Sequence, residues 1–337
     1  MAELYGFSSS ATRIIELVKN CRTPFVLNTK PGDNVHIITD TRQDPLVWTA
    51  LAAAAREQDC IVTVSIMTPR PFHHDEPPRA IIEAMKKANM NVYNNTIPLG
   101  FEAGAEVARA QGGGRGCFLM DELDAEMLTS PICSLTPDEA KAMHAFGLEV
   151  AKRVIEGNEV HVTSDLGTDL KCKIRDPTTG KARCNIGPMK GNIYATWPAG
   201  ECNTSPIKGS GEGTVVWDTS CAWPRGLLKE PIKLTVKAGR VVKIEGGAEA
   251  KQCEEYIKEH GDESTYECPS ELAMGLNPRA APTGFMRTDK KVLGGIHIAM
   301  GHSNLHTDGI IMNPTIVIDG KPLMIKGVFQ VGGGRPF

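Results

Sequence analysis

Apolar positions in the first half of the chain fall into two alternating kinds of segment. Short β-branched runs, such as Ile-Ile-Thr at 37–39 and Ile-Val-Thr-Val at 61–64, predict buried strands. Longer stretches rich in Ala and Leu are typical of helices. Because strands that alternate with helices build a parallel sheet with helices on both faces, we expect an α/β fold here. The predicted strands cover 34–40, 60–67, 91–97 and 117–121, and the predicted helices cover 44–58, 78–88 and 103–111.

The pattern changes after a long predicted helix at 136–156. This helix opens with Thr-Pro-Asp-Glu, which supplies an N-cap, a first-turn proline and two acids, and a Gly-Asn pair ends it. Beyond it strands dominate, with one clear helix at 249–260. We therefore expect two domains: an α/β domain with a mainly parallel sheet at 1–156, and a β-rich α+β domain at 157–337 that binds metal and carries out catalysis. The strands predicted in the second part cover 159–164, 169–174, 213–217, 232–237 and 241–245.

Composition and charge exclude several classes of function. The 337 residues carry a net charge of −3, so the basic face that nucleic-acid binding requires is not expected. The start of the chain has neither a basic nor an apolar segment, and no apolar run approaches the ~20 residues that span a bilayer. The ten cysteines include no Cys-x-x-Cys pair, so we expect mostly free, buried thiols. These features predict a cytoplasmic protein that acts on a small molecule and binds neither nucleic acid nor membrane.

Histidines supply the strongest sign of chemistry. Three of the nine lie within ten residues, at His297, His302 and His306, and Asp308 follows two positions after the last. On a strand, positions i and i+2 point to the same face, so His306 and Asp308 would converge. Neutral imidazole and carboxylate together suit Zn, Mn, Fe or Co. The segment therefore predicts a transition-metal site, with a surface motif free of metal as the alternative.

Two glutamates lie in surroundings that favour a metal-bound role. Glu201 follows the turn in Trp-Pro-Ala-Gly-Glu, and Glu271 begins the apolar run Glu-Leu-Ala-Met-Gly. A carboxylate is costly to bury in apolar surroundings unless it is paired or binds a metal. Arg279 could be the partner of Glu271, and this alternative stays open.

Four segments, in the same order, resemble the thermophilic metallo-aminopeptidases of the aminopeptidase T and S type. They are Trp-Pro-Ala-Gly-Glu201, Glu271-Leu-Ala-Met-Gly-Leu-Asn-Pro, Gly-Gly-Ile-His297-Ile-Ala-Met-Gly and His306-Thr-Asp308. The resemblance implies an α/β N-terminal domain, a C-terminal metal domain and a homodimer. It also implies two divalent metal ions per chain (Zn, Mn or Co), bound by the five numbered acids and histidines of these segments.

The chain also departs from that family. The aminopeptidases have a long segment with a metal-site Tyr between the two histidines, whereas His297 and His306 are nine residues apart here. We therefore expect a metal-dependent hydrolase, aminopeptidase-like or amidohydrolase in activity, that cleaves an amide, lactam or related C–N bond of a small molecule. Two metal ions about 3.5–4 Å apart would activate its water.

The same hypothesis gives roles to the other polar residues. Glu201 and Glu271 would supply charge to the metal shell, one of them as a bridge. Arg279 would hold Glu271 or a substrate carboxylate, because its fork matches a carboxylate. His302 would carry protons or contact the substrate, and a solvent-facing loop histidine is the alternative.

A second family, the 2,5-dihydroxypyridine dioxygenases, is similar in scaffold, length and in the Gly-Leu-Asn-Pro-Arg and His-x-Asp segments. It uses one Fe(II) bound by two histidines and one carboxylate. One of its iron-binding histidines corresponds to Glu271 here, and its basic histidine corresponds to Gly100, so we rank it second. His297, His306 and Asp308 could still form an iron triad that leaves positions open for substrate and O₂. The alternative function is therefore mononuclear Fe(II) ring cleavage of a dihydroxypyridine-type heterocycle; a third is a small-molecule binding protein without metal.

Overall fold

The chain divides into two compact units in the computed structural model, which describes residues 9–71, 75–100, 102–111, 117–175, 185–186, 194–302 and 305–337. Unit 1 comprises Met1–Ala140 and Gly187–Ala199, and unit 2 comprises Lys141–Ile186 and Gly200–Phe337. The chain therefore returns to unit 1 for one short segment before it completes unit 2.

Helices and strands alternate at first and strands then dominate. The helices are α1 (Ser9–Asn28), α2 (Pro45–Arg56), α3 (Arg79–Met85), α4 (Glu102–Ala110), α5 (Ala125–Thr129), α6 (Pro137–Glu156), α7 (Ala248–His260) and α8 (Met286–Asp289). The strands are β1 (Asn34–Asp40), β2 (Ile61–Met67), β3 (Met90–Asn94), β4 (Cys117–Leu119), β5 (Glu159–Thr163), β6 (Asp169–Lys173), β7 (Asn185–Ile186), β8 (Tyr194–Thr196), β9 (Glu201–Thr204), β10 (Glu212–Trp217), β11 (Ile232–Lys237), β12 (Arg240–Glu245), β13 (Glu271–Gly275), β14 (Gly295–Met300), β15 (Thr307–Met312), β16 (Thr315–Ile318), β17 (Lys321–Ile325) and β18 (Val328–Phe329). Within the described ranges, no helix has the length and apolar character needed to cross a membrane.

Unit 1 is built on a parallel sheet with the strand order β2-β1-β3-β4-β8. Its central strands β1 and β3 are buried along nearly their whole length, as expected for parallel strands covered on both faces. Helix α2 begins where the Asp44 side chain accepts a hydrogen bond from the Leu46 N–H (2.9 Å) and Pro45 occupies the first turn. The predicted α/β class with a mainly parallel sheet is confirmed for this part of the chain.

Unit 2 contains two antiparallel sheets. One has the order β12-β11-β10-β6-β5-β16-β17-β18, and the other has the order β15-β14-β13-β9-β7. Trp217 of β10 packs against the second sheet, where its indole N–H donates to the Ile298 carbonyl (3.0 Å). Its ring lies so close to Gly309 that a Cβ there would be 2.0 Å from it, so this position of β15 requires glycine. The predicted β-rich α+β character of the second part is confirmed.

One long helix of the structure was not predicted. Helix α1 has no acidic residue in its first turn and carries Pro24 inside, and both features argue against a helix from the sequence. Leu17, Cys21 and Phe25 lie on one face of the helix and are fully buried. Tertiary packing of that face therefore stabilises the helix where local propensity does not.

The cysteines serve as small apolar residues. The nine that fall within the described ranges are all free and buried, as predicted. Burial raises the pKa of Cys21 and of Cys172 to about 12. Because the thiolate is the reactive form, these two thiols are unreactive near neutral pH.

Candidate metal centre

Strand register brings three of the predicted ligands to one face of the five-stranded sheet. Glu271 on β13 lies opposite Ala299 on β14, and Ala299 lies opposite Asp308 on β15. Directly opposite residues point to the same face, as do residues two apart on one strand. His297, two residues before Ala299, therefore joins them, and His306, two residues before Asp308, precedes β15 on the same side.

Glu201 reaches this face through the next strand. It lies on β9 opposite Gly275 of β13, which is four residues beyond Glu271 and so faces the same way. Ala273 lies midway between Glu271 and Gly275 on β13. It is opposite His297 of β14 on one side and Asn203 of β9 on the other. Small residues at these positions leave room for the longer side chains of the acids and histidines.

The first donor group surrounds Asp308. Its Oδ1 atom lies 3.1 Å from His306 Nε2 and 3.9 Å from His297 Nε2. Glu271 links the same two imidazoles, with Oε1 3.3 Å from His297 Nε2 and Oε2 3.3 Å from His306 Nε2. The ligand atoms of Glu271, His306 and Asp308 all lie within 4.8 Å of one another, so these three residues could hold a metal ion.

The hydrogen bonds around this group suit a metal. His306 Nδ1 lies 2.9 Å from the Gly301 carbonyl oxygen, which can only accept, so Nδ1 carries a proton. A neutral His306 then directs its Nε2 lone pair toward Asp308 and Glu271. The buried Asp308 Oδ1 atom faces the Nε2 atoms of both imidazoles, at 3.1 and 3.9 Å. Imidazole fixed by a backbone carbonyl, together with carboxylate oxygen, is a donor set that fits a transition-metal ion.

The charge around the first group favours a bound cation. Burial raises the pKa of Asp308, but Lys290 and the two imidazoles outweigh it and hold this pKa well below its usual range. Burial lowers the pKa of His306, whereas Asp308 and Glu271 raise it well above its usual value. The electrostatic potential that stabilises a protonated imidazole at this position also stabilises a metal cation.

The second donor group consists of Glu201, Glu271 and His297, whose ligand atoms also lie within 4.8 Å of one another. Here Glu201 already has partners: Lys291 Nζ contacts its Oε2 atom, and Asn203 Nδ2 donates to its Oε1 atom (3.0 Å). Burial opposes ionisation of Glu201, but Lys291 nevertheless lowers its pKa below the usual value. The Glu201 carboxylate is therefore paired with the Lys291 ammonium.

Sequence analysis missed the two lysines of the site. Lys290 Nζ lies 3.3 Å from Asp308 Oδ2, and Lys291 is fully buried beside Glu201. They follow Asp289, whose own carboxylate is fully buried. An Asp-Lys-Lys run is typical of a solvated surface, and no local signal distinguishes this one.

The buried Asp289 carboxylate fixes the lysine segment. It accepts hydrogen bonds from Ser220 Oγ (2.7 Å), from the Thr283 N–H (2.7 Å) and from the Gly284 N–H (2.8 Å). These donors come from two separate loops. The segment that carries Lys290 and Lys291 is therefore anchored to both of them.

Two other predicted residues lie outside both donor groups. His302 Nε2 lies 3.5 Å from Glu267 Oε2, and the His302 side chain is 41% exposed. Arg279 is half-buried, and its backbone N–H donates to Asn277 Oδ1 (2.9 Å). Their catalytic roles stay predictions.

Sequence comparison points to one family. The family model described as NicX: 2,5-dihydroxypyridine 5,6-dioxygenase matches residues 16–300. The 2,5-dihydroxypyridine 5,6-dioxygenase of Pseudomonas putida KT2440 is 34% identical over 138 residues, which are 40% of this chain and 38% of that protein. The aligned part thus spans well under half of this relative.

Two solved structures share the fold. The 2,5-dihydroxypyridine dioxygenase from Pseudomonas putida KT2440 has a TM-score of 0.80 at 19% identity, with 98% of this chain and 100% of that chain covered. AmpT from Thermus thermophilus has a TM-score of 0.65 at 16% identity, with 95% and 100% covered. Both family resemblances inferred from the sequence motifs are confirmed, and at these identities the two structures establish the fold alone.

The predicted hydrolase is wrong. The family model and the curated relative are dioxygenases, whereas the aminopeptidase neighbour is a more distant structural match. The prediction of C–N bond hydrolysis treated Glu201 and Glu271 as the acids of a two-metal site. The ion pair with Lys291 accounts for the burial of Glu201 without a second metal. Glu271 stands where the dioxygenases have an iron-binding histidine, and this difference does not exclude the dioxygenase family.

The family and the donor groups are consistent with one another. A divalent metal fits both the dioxygenase family and the clustered imidazoles and carboxylates. A small-molecule substrate fits an enzyme of this kind. Since the family model covers residues 16–300 of 337, the chain belongs to the NicX family, the 2,5-dihydroxypyridine 5,6-dioxygenases.

Proposed function

We propose that this protein is a mononuclear Fe(II) dioxygenase that cleaves the ring of a hydroxylated pyridine of the 2,5-dihydroxypyridine type. The observation that carries the proposal is that a member of this family places two imidazoles and two carboxylates together on one sheet face. Imidazole and carboxylate ligands suit iron and leave positions open for substrate and O₂.

The proposed ligands are the side chains around Asp308, and one of them, His297, also belongs to the second donor group. His297, His306 and Asp308 form the triad, and Glu271, which lies 3.3 Å from both imidazoles, is an additional donor. Fe(II) bound there would supply the redox chemistry that O₂ requires. The Gly301 carbonyl holds His306 in the tautomer that directs Nε2 to the metal.

Two residues outside the donor groups, Arg279 and His302, would bind and orient the substrate. Arg279 is half-buried, and its planar fork suits an anionic ring oxygen. His302 is partly exposed beside Glu267, so it could exchange a proton with a ring hydroxyl through Nε2. Lys290 offsets the charge of Asp308 on the side away from the imidazoles.

Oxygen consumption tests the proposed function. Protein stripped of metal is loaded with Fe(II) without air, mixed with 2,5-dihydroxypyridine, and placed in an oxygen electrode. We expect about one O₂ consumed per ring opened by the native protein and none by the His306→Ala variant. His161→Ala is the matched control, because His161 pairs with Asp169 on the other sheet (2.7 Å) and should leave the uptake unchanged. The proposal fails if the native protein consumes no O₂, or if His306→Ala consumes it equally fast.

The remaining expectations from the sequence belong to the same proposal. The domain predicted at 157–337 would be the catalytic one, and the protein would act in the cytoplasm as a homodimer. Size-exclusion chromatography with light scattering should give twice the mass of one chain. A monomeric mass would contradict the homodimer and leave the iron proposal intact.

A further inference from the structure

The second donor group contains a cation that belongs to the protein itself. Glu201, Glu271 and His297 offer ligand atoms within 4.8 Å of one another, as the first group does. The Lys291 ammonium contacts Glu201 from inside the fold, and Lys291 has no exposed surface. Removing an ammonium from water is costly, and the paired Glu201 carboxylate offsets that cost.

The backbone around Lys291 leaves it little freedom to withdraw. Gly275 of β13 packs directly on this segment, and a Cβ at Gly275 would lie 2.0 Å from the Val292 carbonyl oxygen. The Asn277 N–H donates to the Lys291 carbonyl (2.8 Å), and the Lys291 N–H donates to the Thr288 carbonyl (3.0 Å). The ammonium is therefore held beside the strand that carries Glu271.

Charge balance then distinguishes one metal ion from two. The carboxylates Glu201, Glu271 and Asp308 bring three negative charges, and Lys290 and Lys291 bring two positive charges. Once His306 has lost its proton, one divalent ion brings the net charge of this set to +1. A second divalent ion would raise it to +3, with the added charge next to the Lys291 ammonium, where repulsion is strongest.

We infer that the Lys291 ammonium takes the place of a second metal ion and limits this centre to one divalent ion per chain. The inference rests on the proposed metal at the Asp308 group. It explains how a chain with two donor groups on one sheet face could operate with a single iron. This role of Lys291 involves neither catalysis nor contact with the substrate.

Metal stoichiometry tests this role without any turnover. Metal-free protein is dialysed to equilibrium against Zn²⁺, which has no redox chemistry, and the bound metal is counted by mass spectrometry. We expect one ion per chain in the native protein and two in Lys291→Met, which frees Glu201 as a ligand. Lys326→Met removes the same charge from an exposed pair with Asp165 (3.1 Å), outside both donor groups, and it should stay at one.

Further variants separate the inference from a folding defect. The double variant Glu201→Met/Lys291→Met should return to one ion, since the freed ligand is removed again. Lys291→Gln repeats the test if circular dichroism shows that Lys291→Met does not fold. Two ions in the native protein, no ion in it, or one ion in both folded Lys291 variants would overturn the inference. Because Zn²⁺ binding needs no O₂, failure of the proposed oxygenase activity would appear only in the oxygen electrode.

Discussion

The two donor groups on the sheet face contain the same kinds of side chain but differ in what balances their charge. Around Asp308, two imidazoles converge on one oxygen, and Glu271 lies 3.3 Å from both imidazoles. The Glu201 carboxylate, by contrast, accepts hydrogen bonds from the Lys291 ammonium and from the Asn203 side-chain amide. A cluster of acids and histidines therefore does not by itself predict the number of metal ions. The cations packed beside the cluster must be known as well.

Removal of a first-group ligand should have the largest effect. Asp308→Ala deletes the oxygen on which both imidazoles converge. Metal affinity and O₂ uptake should fall by more than the ~10–100-fold that is typical for loss of a residue that only supports a ligand. Glu201→Ala is the comparison variant, and it should retain one bound ion. Equal loss of metal in the two variants, measured by dialysis and mass spectrometry, would erase the distinction between the groups.

Breaking the Lys291–Glu201 pair should be the most costly change in stability. Glu201→Gln leaves a fully buried ammonium without its carboxylate, and loss of one partner of a buried pair typically costs about 3–5 kcal/mol. Urea unfolding of the metal-free protein would measure this. Glu201→Met/Lys291→Met, which removes both charges, should recover most of the loss. A cost for Glu201→Gln below about 1 kcal/mol, the value of an exposed pair, would show that Lys291 is not held as described.

A smaller loss of stability is expected at Asp289, which anchors the lysine segment. Asp289→Asn replaces one acceptor oxygen with a donor. Because Oδ1 accepts from the Thr283 N–H and Oδ2 accepts from the Gly284 N–H, one of these two backbone groups loses its partner. An unsatisfied buried polar group costs about 1–3 kcal/mol. The unfolding free energy should drop by that amount while one Zn²⁺ still binds. Unchanged stability would mean that the lysines are positioned by other contacts.

The smallest effect concerns pH. The raised pKa of His306 means that this imidazole is protonated near neutral pH before metal binds, and it must lose the proton to become a ligand. The lowered pKa of Asp308 and of Glu271 keeps both carboxylates ionised throughout this range. Metal affinity should therefore fall about tenfold for each pH unit below the His306 pKa. Calorimetry in two buffers with different ionisation enthalpies should show about one proton released per ion; release of none would contradict the assignment.

Much of the fold could be predicted from periodicity alone. The β-branched runs of β1, β2 and β11 and the capped helix α6 all lie where the pattern of apolar residues placed them. Helix α1 was not predicted, because Pro24 argues against a helix and the buried face that stabilises it becomes visible only in the structure. Strand β8 is a three-residue strand that joins the unit 1 sheet from a distant part of the chain, and no local pattern marks such a return.

The candidate site was predictable to the extent that it depends on residue spacing. The His-x-Asp spacing and the two acids in apolar surroundings predicted side chains that the strand register brings to one face. Lys291 was not predictable, because its role depends on contacts with Glu201 and Gly275, which are far from it in sequence. The incorrect prediction of hydrolysis rested on Glu271 and Gly100, where the dioxygenases have histidines, and these two differences do not exclude the dioxygenase family.

Isotope labelling tests the central claim most directly. The Fe(II)-loaded protein is supplied with 2,5-dihydroxypyridine under ¹⁸O₂ in unlabelled water, and the product is analysed by mass spectrometry. Dioxygenation with a single iron predicts a ring-opened product that carries both atoms of the labelled O₂ and does not form in its absence. A product that forms without O₂, or that takes its new oxygen only from water, would contradict the account.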